Sequence, residues 1–172
     1  RLGWLGAQID SISTEEAIRY QEHALAEGGD ARDVAVVAHA VLARMRGIAG
    51  DYHAALTHAE AAIALGGGSS PDLMFPSPHG ELGTTRFYTG GGLDEQIFLE
   101  GIETESRGRR AEPYQSVGLQ FMLALLYAGH HQRAREGLGA LLAEADELDR
   151  VRSVAGCHLH LVEVEGRAGN LA

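Results

Sequence analysis

The chain has 172 residues, 45% hydrophobic and 22% charged, with a formal net charge of -10. That balance excludes a disordered chain, and the lack of any 18-residue apolar run excludes a transmembrane helix. All 14 basic residues are Arg; without Lys there is no Walker-A phosphate loop, no Schiff base and no lysine general base.

With 24 acidic residues against those 14, direct nucleic-acid contact is not expected, because phosphate binding needs clustered cations. The single Cys157 leaves no intrachain disulfide or paired-thiol site and suits a cytoplasmic setting. Arg1 to Asp10 shows no signal-peptide pattern. A first residue other than Met, and an ending at Gly169-Asn170-Leu171-Ala172 that reads as a helix–turn junction, lead us to expect one domain over 1–172 cut from a longer protein.

In chain order, Ser13-Thr14-Glu15-Glu16 predicts a capping box and a helix over about 14–27, with Ala17, Ile18, Ala24 and Leu25 on one side. Gly28-Gly29-Asp30 stops it. A second helix covers about 33–48; its Val34–Val41 stretch resembles a strand in Val content, but Ala content and length favour helix. Gly50-Asp51-Tyr52 reads as a tight turn with Asp51 as N-cap. Ala55, Leu56, Ala59, Ala62 and Ile63 then share a helix face ending at Gly66. Residues 66–79 hold three of the four Pro and predict an irregular loop.

Helices follow over about 80–88 and 94–106. Pro113 suits the first position of the next helix, whose stripe is Val117, Phe121, Ala124, Leu125 and Ala128. After a turn at Gly129-His130-His131, Ala134, Leu138, Leu141, Leu142 and Ala145 form another stripe. Val154, Cys157, Leu161 and Val164 form the last. The total is about eight helices and no strand.

Gly50, Gly90, Gly129 and Gly169 recur 40, 39 and 40 residues apart, a period typical of stacked helix pairs. Gly50-Asp51-Tyr52 with Ala55 and Ala62 resembles a tetratricopeptide (TPR-like) unit. Leu42 and Ala43 fit the preceding helix, Ala17 and Ala24 repeat the seven-residue spacing, and Ala134 fits the first small position. Leu141, Glu95 and Gly67 depart from the family pattern. Leu141 to Glu147 and His158 to Gly169 are similar to the helical-repeat region of large ATP-binding regulators of the LuxR family.

The resemblance implies an all-α, right-handed α-solenoid of about four TPR-like helical hairpins. It also implies a non-enzymatic module that senses a protein or small-molecule inducer for a bacterial transcriptional regulator. Flanking NTPase and helix-turn-helix domains would lie outside this segment. A free-standing scaffold for protein–protein interaction is the alternative. In the TPR family the first helix of each pair lines the concave groove, which places Arg44, Tyr88, Gln120, Tyr127, His160 and Glu163 there.

Other chemistry has little support in the residues. Gly66 to Ser70 lacks the Lys of a phosphate loop and runs into Pro71. Cys157 and His160 could share a helix face but make only two ligands, so no metal and no cofactor are expected. His53 and His58 are badly spaced for pairing on one helix. No GxSxG elbow offers a nucleophile, and Glu163 and Glu165 do not face each other, so no catalytic residue is assigned. Arg107, Arg109 and Arg110 read as a solvated loop. The apolar ends of a cut solenoid are open to forming a homodimer.

Overall fold

The computed structural model describes residues 13–28, 31–66, 76–107 and 113–170. Among them are eight α-helices and no strand: α1 (Thr14–Glu27), α2 (Arg32–Ile48), α3 (Tyr52–Ala64), α4 (Pro78–Arg86), α5 (Glu95–Arg107), α6 (Val117–Tyr127), α7 (His131–Glu147) and α8 (Val151–Arg167). The Val-rich stretch is part of α2. None of the helices is long and apolar enough to cross a membrane.

Local chemistry sets the helix ends. Ser13 Oγ accepts from Glu16 N–H while the Glu16 carboxylate accepts from Ser13 N–H, a complete capping box. Asp51 accepts from Ala54 N–H at 3.1 Å and starts α3. Pro113 does not open α6. It begins a short 3₁₀ turn, Pro113–Gln115, and Ser116 is the N-cap, accepting from Leu119 N–H. A hydroxyl can satisfy an orphan N–H, which Pro cannot do.

The four periodic glycines all have positive φ, between 76° and 86°. After α2, α6 and α8 the glycine N–H bonds back three residues and the next N–H bonds back five, the Schellman closure. The α7–α8 turn has the same bonds with Asp149 at φ 52°. Gly90 differs: α4 widens into a π turn, Phe87–Gly91, and bends at Gly90. There Thr85 and Thr89 hydroxyls donate to carbonyls three and four residues back, which loosens the helical ladder.

Each helix packs on its neighbours in sequence, and α4 also touches α2 and α6. The helices preceding the turn glycines (α2, α4, α6 and α8) thus alternate with α3, α5 and α7. One buried cluster joins Ala43 of α2 and Ala59 of α3, both fully buried, to Leu82 of α4 and Ile97 of α5. The largest core joins Phe98 and Phe121, stacked at 5.2 Å, to Leu125, Leu126, Leu138 and Val164. Close approach here depends on glycine, since a Cβ at Gly83 would lie 2.6 Å from the Phe98 ring. Truncating a fully buried Leu such as Leu138 to Ala costs about 2–5 kcal/mol.

Candidate functional site

The shared register of the pre-turn helices brings particular residues together. Nine residues before each turn glycine stand Val41, Glu81, Gln120 and His160; six before stand Arg44, Thr84, Leu123 and Glu163; two before stand Ile48, Tyr88, Tyr127 and Arg167. Half of these residues border a cavity of about 250 Å³: Arg44 from α2, Thr84 from α4, Gln120 and Leu123 from α6, His160 from α8, and Tyr88. Tyr88 and Phe87 close one side.

The floor is a polar clamp. Glu81 is buried, and its Oε1 accepts from Arg44 Nη1 at 3.1 Å and from Gln120 Nε2 at 2.7 Å. Three helices are therefore tied through one oxygen. Burial pushes the Glu81 carboxyl above its ordinary range, while Arg44 and Gln120 pull it back. Gly80 makes room for this: a Cβ there would sit 1.7 Å from Gln120 Oε1. That oxygen has no hydrogen-bond partner among the described residues. Removing Arg44 or Gln120 alone would strand part of a buried carboxylate, which costs more than the bond itself is worth.

An aromatic ladder runs beside the cavity. Tyr52 stacks on Tyr88 at 5.0 Å, Tyr88 and Tyr127 lie 6.4 Å apart, and the Arg167 guanidinium sits 4.7 Å over the Tyr127 ring. Glu163 accepts from Arg167 Nε at 3.1 Å and from the Tyr127 hydroxyl, and lies 3.8 Å from His160. Burial and the Glu163 charge push the Tyr127 phenol up.

Of the six groove residues expected from sequence, Arg44, Tyr88, Gln120 and His160 border the cavity, and Tyr127 and Glu163 adjoin it. Glu81 was missed. Its signal in the sequence is the register it shares with Gln120 and His160, one turn glycine earlier. Sequence reasoning also missed His39 and His58, on facing helices, whose Nδ1 atoms lie 2.9 Å apart. One imidazole donates and the other accepts, and burial lowers both pKa values.

A second cavity, about 230 Å³, lies by the N-terminus of α6 and is bordered by Glu105, Ser116, Leu141 and Glu144. Both Glu105 oxygens accept from Val117 N–H, at 3.2 and 3.0 Å, yet burial raises its carboxyl to about 7.

The remaining sequence candidates are only partly among the described residues. Arg107 pairs with Glu103, and Arg109, Arg110 and residues 67–75 lie outside the described residues. Cys157 is buried, and that burial pushes its thiol up. Among the described residues no three His, Cys, Asp or Glu side chains form a metal-binding group. No protein-family model, curated protein or solved structure matches the chain.

Proposed function

We propose that the chain is a non-enzymatic helical-repeat module, an α-solenoid of TPR-like hairpins, that senses a ligand or protein segment in the cavity between its pre-turn helices. The observation that carries this reading is the convergence of side chains from α2, α4, α6 and α8 on one cavity over the Glu81 clamp. A concave site with apolar walls (Phe87, Leu119, Leu123, Ala124) and a few fixed polar groups is the usual form of a ligand site. An occupant touching four helices would favour one spacing of the stack over others, and that difference in affinity is what shifts a conformational equilibrium. In the LuxR-type regulators that the repeat region resembles, such a shift would pass to attached NTPase and helix-turn-helix domains.

A ligand-observed NMR screen of a fragment library tests the site. Leu123→Trp fills the cavity from the side of α6. Fragments that bind the wild-type chain should lose binding to Leu123→Trp by tenfold or more, and Arg44→Ala with Tyr127→Ala should weaken them. Equal binding by all three proteins would place the ligand elsewhere. Sequencing the reading frame on both sides then separates the regulator from a free-standing scaffold: the regulator needs a phosphate-loop motif upstream and a helix-turn-helix downstream.

A further inference from the structure

Two residues that border the cavity carry a buried polar atom with no hydrogen-bond partner among the described residues: Gln120 Oε1 and Thr84 Oγ1. Such atoms are rare in folded chains and cost stability. Gln120 is only 9% exposed. Its amide cannot turn over to relieve the oxygen, because Nε2 donates to Glu81 at 2.7 Å. Oε1 instead takes the place of a Gly80 side chain, 1.7 Å from where a Cβ would stand.

Thr84 differs from its neighbours. The Thr85 and Thr89 hydroxyls donate to carbonyls three and four residues back, and the Thr84 hydroxyl does not. Gly80 and Thr84 are four apart and share one face of α4. Cβ positions so related are about 5–6 Å from each other. An acceptor and a hydroxyl therefore stand one helical turn apart, a span that an N–H and a C=O on one carbon bridge.

The walls define the rest of an occupant. Phe87, Leu119, Leu123 and Ala124 present apolar groups. A dry cavity of about 150 Å³ takes benzene, so about 250 Å³ takes a ring with a substituent of roughly three atoms. Charge is balanced at the floor. Arg44 disfavours a cation, and the buried Glu81 carboxylate with the Gln120 carbonyl disfavours an anion.

We propose that the cavity takes a small neutral carboxamide carried on an aromatic ring or a similar apolar body. Its N–H donates to Gln120 Oε1 and its carbonyl accepts from the Thr84 hydroxyl, so both atoms gain a partner at once. The apolar body lies against Phe87, Leu119 and Leu123. This ligand class rests on the proposed function, with the cavity as the binding site. A polar site rejects analogues that leave its groups unpaired, so the amide is the part of the ligand that is read.

Titration of the wild-type chain with benzamide, acetophenone, benzoate and toluene, followed by ligand-observed NMR, tests the proposal without altering the protein. Benzamide should bind at least about tenfold tighter than acetophenone, which lacks the N–H, and than toluene, which lacks both groups. Benzoate should bind more weakly than benzamide. Thr84→Val keeps the shape and branching of the side chain. It should raise the melting temperature, because an unsatisfied buried hydroxyl is removed, and should erase most of the advantage of benzamide over toluene. Equal affinities for benzamide and acetophenone would overturn the proposal, since water would then satisfy Gln120 Oε1. So would a preference for benzoate, since Arg44 would then be the reading group. Toluene that binds the wild type but not Leu123→Trp, with no gain for benzamide, would sink the carboxamide and leave the cavity standing as a binding site. Binding that Leu123→Trp leaves unchanged, or no binding by any probe, would overturn both.

Discussion

Two carboxylates are pushed in opposite directions by their surroundings. Arg135 donates to Glu165 at 2.5 and 2.9 Å and Asn170 donates at 2.6 Å, which holds the Glu165 carboxyl down to about 2. Its stabilising contribution is complete above the unfolded pKa near 4.5 and is lost as pH falls through about 2. Glu105 behaves inversely. Its folded pKa of about 7 lies above the ordinary 4.5, so the unfolded chain gives up the proton first. Stability therefore falls as pH rises from 4.5 to 7. Glu105→Gln keeps an acceptor for Val117 N–H and removes the charge. Denaturant titrations should show the variant losing less stability across that window, and a gain at pH 8 of roughly 1–2 kcal/mol after discounting for partial exposure. A variant with the wild-type pH profile would mean that Glu105 is solvated. The histidine pair contributes on the acid side. Burial lowers both pKa values, so stability falls as pH drops below 6.5, and His58→Gln should soften that loss.

At the scale of the helix, the turns carry the most readable physics. Three of the four periodic glycines close Schellman turns in the left-handed region, whereas Asp149 holds that conformation with a side chain attached. Non-glycine residues pay for that geometry. Asp149→Gly should therefore stabilise the chain by a few tenths of a kcal/mol to about 1 kcal/mol, and Gly50→Ala should destabilise it by about 1 kcal/mol. Thermal unfolding of the two variants checks both signs, and a destabilised Asp149→Gly would refute the cap assignment.

The turns and caps were legible in the sequence because they depend on neighbours in the chain. Ser13, Glu16, Asp51 and Gly50 act within five residues of themselves, and α1 runs over the predicted 14–27. The misplaced ends have local causes of another kind. Ser116 competes with Pro113 for the start of α6, and the Thr85 and Thr89 hydroxyls unwind the end of α4. The partners of Glu81 are 37 and 39 residues away. His39 and His58 sit on helices whose rotation about each other the pattern does not specify. Such contacts become visible only once the register of the 40-residue period is laid across all the pre-turn helices.

Across the whole molecule, that register explains why residues so far apart in the chain share a site. Tyr88 and Tyr127 are neighbours because each stands two residues before a turn glycine, Tyr127 at the end of α6 and Tyr88 in the π turn after α4. Glu81, Gln120 and His160 align for the same reason. On the proposed function, an occupant of this cavity engages all the pre-turn helices at once and so reads and sets their spacing. Two-dimensional NMR of the labelled chain, titrated with the strongest fragment from the screen, tests this most directly. Saturable shifts are expected at Arg44, Thr84, Gln120 and His160 together, with smaller changes spreading along α2, α4, α6 and α8. Shifts confined to one helix, or centred on α3, α5 and α7, would contradict it.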